Sequence, residues 1–276
     1  NILNLGAALL LMPTSGIRGL AWAATGTTFL QMSAMALVLR GIDPGPGADP
    51  LRAIDMARIR LILSKGMPLG LQLLAEVGIF ILAGFIMAGI TATAAAAHYL
   101  VLGIASMTFM VPMSIAAATA VLVGQAIGRG DPAATRQAGI TGIQCAGGSM
   151  VICGAAQILF PGSIARIGTA DAAVIAQSII LLRIAAAFQV FDGVQVAANA
   201  ALRGAGKTRA SLIANLVAYW VVAAPLGGLF LRRMEMGPAG VWWALTAGMA
   251  VAAFVCLALW LRLSRRPIAA IERLIP

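Results

Sequence analysis

The stretch Ile184–Arg209, IAAAFQVFDGVQVAANAALRGAGKTR, decides how the chain is read. Most of it is apolar enough to lie in a bilayer, yet Asp192 stands well inside the hydrophobic run. On a helix, Gln189, Gln195 and Asn199 lie at −3, +3 and +7 from that carboxylate, and these offsets share one face. Hydrocarbon offers no water to solvate a charge, so an acid on such a stripe needs a partner or a task. A glycine-rich, basic turn closes the stretch.

The surrounding composition agrees with a bilayer setting. Of 276 residues, 61% are hydrophobic and 10% charged, and the mean hydropathy is +0.96. Soluble domains carry roughly 25% charged residues. Apolar runs about twenty residues long, without ten-residue alternation, select membrane helices over a barrel. The expected fold class is an all-α polytopic membrane protein.

Residues 1–12 read as the end of a span. The chain opens on Asn1 with no basic segment before an apolar core, so it is expected to be a fragment starting inside a helix. A turn at Pro13–Gly19 leads to a span at 19–40. These two form the end of an N-terminal lobe. A polar connection, 41–65, begins GIDPGPGADP and continues as an amphipathic segment expected at the membrane surface. Six further spans, near 66–89, 94–124, 137–160, 174–200, 209–231 and 238–262, make a complete C-terminal lobe (66–262). Pro112 and Pro225 are expected to bend their helices. A basic tail, 263–276, follows. The total is seven complete spans and one partial.

Lysine and arginine fix the orientation. Alternate connections place fourteen on one side, including Arg52, Arg60, Arg129, Arg136, Lys207 and Arg265, and only Arg18, Arg166, Arg232 and Arg233 on the other. The richer side is cytoplasmic by the positive-inside rule. The net charge of +10 is therefore topological and points to no nucleic-acid partner. An internal echo also appears: Asn4, Gly16-x-x-Gly19 and Trp22-Ala23 recur as Asn215, Gly237-x-x-Gly240 and Trp243-Ala244. Repeats of this kind are common in transporters.

Only two acids, Glu76 and Asp192, fall deep within spans. Glu76 lies 11 residues from Lys65, and Asp192 lies 11 from Arg203. At about 1.5 Å per residue both stand roughly 16 Å in, near the midplane. Two carboxylates at one depth on different helices are the layout of a proton or cation site. Gln72, one turn before Glu76, extends its polar face. Arg183, nine residues before Asp192, is on the opposite face of the same helix and is a poor partner.

Other features carry less. GAGKT (Gly204–Thr208) lacks the earlier glycine and the strand of a phosphate loop and reads as a cytoplasmic turn. Cys145, Cys153 and Cys256 read as packing residues, and the single His98 as a hydrogen-bonded structural residue. No cofactor is expected.

The segments GMPLGLQLLAEVGIF, AAAAHYLVLGIASMTFMVPMSIAAATAVLVGQAIGRGDP, FQVFDGVQVAANAALRGAGKTR and GPAGVWWAL resemble, in sequence and order, the multidrug and toxic compound extrusion family of the multidrug/oligosaccharidyl-lipid/polysaccharide flippase superfamily. The resemblance covers most of 66–262 and assigns the chain to the fifth through twelfth helices of two six-helix lobes. It implies that Glu76 and Asp192 are the cation- or proton-coupling acids. It also implies substrate or ion contacts at Tyr99 and Phe188, and the polar faces of Gln72, Gln189, Gln195 and Asn199 are expected to wall the same substrate cavity. Tyr99 stands where the family often has glutamine. Phe188 stands where some members carry tyrosine, which makes a sodium site at Glu76 and Asp192 less secure than a proton site.

The expected function is a secondary antiporter, not an enzyme, exporting organic and mostly cationic compounds in exchange for protons or sodium. A monomer in the bacterial inner membrane is expected. A lipid-linked precursor flippase is the alternative within the superfamily. A membrane-embedded enzyme would want a GxGD-like motif, which FDGV around Asp192 lacks. A membrane scaffold would leave the two midplane acids without a task.

Overall fold

The computed structural model describes residues 2–41, 56–232 and 234–267, and every regular element in that range is a helix. The chain divides into two compact units, 1–57 and 58–276. The division falls within the polar connection, of which 42–55 lie outside the described residues, as does 268–276 of the basic tail.

The first unit is α1 (Ile2–Arg40), two helical pieces joined at a kink. The expected turn at Pro13–Gly19 narrows to one residue, Gly16, at φ 53° and ψ −136°. Pro13 removes one ladder donor, and glycine accepts the positive φ that a Cβ would oppose.

The second unit holds α2 (Met56–Ile90), α3 (Ala92–Gly128), α4 (Pro132–Leu159), a short α5 (Pro161–Gly168) and α6 (Ala172–Gly204). These are followed by α7 (Thr208–Leu216), a π-helical stretch (Val217–Ala223), α8 (Ala224–Arg232) and α9 (Gly237–Leu263). Six segments in this unit are long and apolar enough to cross a membrane. Residues 51–63 were expected as an amphipathic surface helix, and of these 56–63 are described. The described ones are instead the first turns of α2, so Pro68 lies in that helix's interior rather than near its start. α3 runs on through Pro112. Pro225 is preceded by the π-helical stretch, whose wider i→i+5 turns accommodate the ladder before a residue with no N–H.

Loop acids start two of the helices. Asp131 accepts from the Ala134 amide at 2.9 Å, and Asp171 from Ala173 and Val174 at 2.8 and 3.3 Å. Each supplies an acceptor to first-turn donors that have no partner within the helix.

α6 is the central post, packed against α3, α4 and α9. Small residues permit the approach: a Cβ on Gly193 would stand 2.7 Å from the Ala146 carbonyl oxygen of α4. Lipid tails give helices little hydrophobic reason to associate, so backbone proximity and dispersion hold such contacts. The apolar core has two parts. One surrounds Leu181, Phe188 and Trp242, and the other surrounds Val123, Ala198 and Trp260 toward the C-terminal end of α6.

Candidate functional site

Glu76 and Asp192 line one cavity of ≈ 440 Å³, walled by α2, α3 and α6. The helical register explains the meeting. Phe80 on α2 packs its ring edge-on against Phe188 on α6, centroids 5.9 Å apart. The two helices run in opposite senses, so one turn back from Phe80 faces one turn on from Phe188. Those positions are Glu76 and Asp192. Asp192 is 7% exposed, its Oδ1 has no hydrogen-bond partner, and its carboxyl interacts electrostatically with that of Glu76.

The rest of the wall is almost entirely apolar. Phe80, Phe109 and Phe188 present rings, Leu73, Val77 and Met110 aliphatic surface, and Ser106 and Tyr99 hydroxyls. Tyr99 crosses from α3 to α2, and a Cβ on Gly84 would fall 2.5 Å from its hydroxyl oxygen, so that glycine makes room for it. Two carboxyl groups among aromatic rings suit a cation or a proton, because ring faces and carboxylates both attract positive charge. Among the described residues, no group of three or more His, Cys, Asp or Glu could hold a metal ion.

The polar stripe of α6 divides. Gln189 is turned to α3, where its Oε1 accepts from Thr108 Oγ1 at 3.0 Å. Gln195 and Asn199, expected in the cavity wall with Gln72, instead enter a buried network with α7 and the π-helical stretch. Gln195 Nε2 donates to Asn215 Oδ1 at 2.6 Å and to Tyr219 Oη at 3.3 Å. Asn199 Oδ1 faces Ser211 Oγ at 2.6 Å, Asn215 Nδ2 at 3.4 Å and Cys256 Sγ at 3.1 Å. Ser211 Oγ also lies 2.8 Å from Gln72 Oε1. One hydroxyl proton serves one of these two amides at a time. Of the expected cavity residues, Tyr99 and Phe188 face the space, whereas Gln72, Gln189, Gln195 and Asn199 are committed to neighbouring helices.

Sequence reading missed several of these groups, although the signals were present. Leu102, Ser106 and Phe109 share a stripe on α3 with the expected Tyr99. Ser211, Asn215 and Tyr219 recur every four residues inside an apolar run.

His98 is fully buried, and neither ring nitrogen has a hydrogen-bond partner. This corrects the expectation of a hydrogen-bonded histidine. It packs by ring edges against Trp242 at 5.8 Å and Tyr99 at 5.3 Å. Arg183 is exposed, away from Asp192. The Arg203 guanidinium, at the C-terminal end of α6, interacts electrostatically with Glu76.

The turn after α6 has its amides engaged: Gly206 N–H donates to the Arg203 carbonyl and Lys207 N–H to that of Leu202, with Gly206 at φ 71°. That is a helix C-cap, not a phosphate cradle.

The MatE family profile matches residues 68–229, more than half of the chain and all of the cavity. The chain belongs to the MatE family. Its relatives include the "Probable multidrug resistance protein NorM" of Xanthomonas axonopodis pv. citri (strain 306), 35% identical over 91% of this chain and 56% of that protein. The "Multidrug resistance protein NorM" of Burkholderia vietnamiensis is 34% identical over 87% of this chain and 53% of its own. The chain thus spans about half the length of the curated relatives it matches. Among solved structures, an outward-facing multidrug resistance MATE family transporter superposes with a TM-score of 0.84 at 22% identity, covering 99% of this chain and 62% of that one. The eukaryotic MATE transporter AtDTX14 gives 0.83 at 19%, over 98% and 62%. The likeness to these solved structures, at 22% and 19% identity, shows the fold.

Proposed function

We propose that the MatE chain forms the C-terminal part of a secondary antiporter that exports organic, mostly cationic compounds in exchange for protons or sodium. The observation that carries this reading is the pair of facing carboxyls, Glu76 and Asp192, in one aromatic cavity. A cationic substrate and the coupling ion compete for the same negative charge. Ion loading releases substrate, because each ligand shifts the equilibrium only by its differential affinity for the two states. The names of the NorM relatives support multidrug compounds as the substrate class. The protein acts as a monomer in the bacterial inner membrane and needs no organic cofactor.

The cavity counts against a flippase for anionic lipid-linked precursors, since its charged lining is two carboxyls with no lysine or arginine. Asp192→Asn is expected to abolish ion-driven efflux of ethidium from cells producing the protein, with membrane insertion unchanged. Undiminished efflux in that variant refutes the proposal.

A further inference from the structure

α7 and the π-helical stretch after it hold α2 by two hydrogen bonds, both within the turn that leads into Glu76. Ser211 Oγ lies 2.8 Å from Gln72 Oε1, one turn before Glu76. Trp220 Nε1 donates to the Ala75 carbonyl oxygen at 3.3 Å, the peptide unit that leads into Glu76. That carbonyl has two lone pairs, so it accepts the indole N–H in addition to its place in the helix ladder. The indole also rests over Gly78, where a Cβ would meet its Cζ2 at 3.3 Å. Trp220 therefore touches the backbone on both sides of Glu76.

The π-helical stretch makes this double reach feasible. In a regular α-helix, side chains nine residues apart point about 180° away from each other. Ser211 and Trp220 are nine apart. Widening the turns over Val217–Ala223 rotates Trp220 back toward α2. Tyr219 meanwhile stays turned inward, 3.3 Å from Gln195 Nε2. One local change of helix type thus sends adjacent residues to two different partners.

We infer that Trp220, with Ser211 as a second point, is a positioning residue that fixes the turn of α2 bearing Glu76, and that the π-helical stretch aims it. The inference rests on the reading of Glu76 as a coupling acid. Further along, α2 meets α6 through the rings of Phe80 and Phe188, and α3 through Tyr99 beside Gly84. At the turn that bears Glu76, the hydrogen bonds from Ser211 and Trp220 help set its depth and rotation. The titratable and charged groups that Glu76 meets in this position are Asp192 and Arg203 from α6, Tyr219 from the π-helical stretch and Tyr99 from α3 across the cavity. Moving that turn changes its distance to all four together.

The test uses the whole chain in lipid nanodiscs, with infrared difference spectra recorded between acidic and alkaline buffer. The carboxyl band that disappears in Glu76→Gln reports Glu76. Trp220→Phe keeps a ring over Gly78 but removes the N–H. It is expected to shift that band and move its titration midpoint by about half a pH unit. It is also expected to weaken binding of tetraphenylphosphonium by about threefold. Trp220→Phe combined with Ser211→Ala is expected to do more of both. Trp243→Phe, the same change at an exposed tryptophan of α9, is expected to do neither. If Glu76→Gln removes the band and abolishes probe binding, yet Trp220→Phe matches the parent in both readouts, the positioning role is overturned and the coupling role of Glu76 stands. If Glu76→Gln and Asp192→Asn both leave probe binding unchanged, the reading of the site fails, and the inference fails with it.

Discussion

Asn199→Ala tests whether the buried network beneath the two acids contributes stability in proportion to its apparent connectivity. Three donors face Asn199 Oδ1, but they do not lose equally when it is removed. Asn215 Nδ2 also donates to the Ser211 carbonyl at 2.8 Å, so its 3.4 Å contact to Asn199 is the weaker of two. Cys256 offers only a thiol, a weak donor. Ser211 still has Gln72 Oε1 at 2.8 Å. A buried polar group left unpaired costs about 1–3 kcal/mol. Alternative acceptors for two of the donors and the weakness of the third place the expected loss near the bottom of that range, about 1–1.5 kcal/mol. Side-chain bonds in membrane proteins average about 0.6 kcal/mol in double-mutant cycles. The cycle of Asn199→Ala with Ser211→Ala is therefore expected to give a coupling of about 0.5–1 kcal/mol. Denaturant titration of the detergent-solubilised protein, followed by circular dichroism, measures both quantities. A loss above about 3 kcal/mol would show that the alternative acceptors do not compensate. A coupling indistinguishable from zero would show that the 2.6 Å contact carries no energy. Either result refutes this account of the network.

Two other substitutions probe the scaffold. Asp171→Ala removes the cap of α6 and is expected to lower stability by about 1 kcal/mol in the same titration, while Asp171→Asn keeps most of it. Gly193→Val drives a branched side chain into Met150 and the Ala146 carbonyl. It is expected to abolish the folded peak in size-exclusion chromatography, whereas Gly193→Ala yields a reduced peak.

How far the sequence was legible follows from which physical rule each feature obeys. The meeting of Glu76 and Asp192 could be read because helical rise is constant, so equal distances from cytoplasmic basic residues mean equal depth. The family resemblance and the profile match agree on the same stretch. The fate of the α6 stripe was not legible. Gln189, Gln195 and Asn199 fall within about 60° of Asp192, which places them on one side of the helix. That arc is wide enough to face α3, the cavity and α7 in turn, and the neighbours decide which. Helix type was equally hidden: Pro225 marks a disturbance, but whether it becomes a bend or π turns depends on what Trp220 and Tyr219 can reach. α5 could have been found, since Pro161 supplies the usual first helical residue.

The Cys256 thiol at Asn199 has a practical side for anyone who wishes to attach spin labels or fluorophores to this lobe. A background free of native cysteines is the usual starting point, and the three thiols present are unequal. Cys145 is exposed and Cys153 half-buried, so alanine serves at both. Cys256 is buried and points its sulfur at the amide that joins α6 to α7. Serine is the replacement that keeps a donor there, so that distances reported by the labels belong to the native arrangement rather than to one loosened in its preparation.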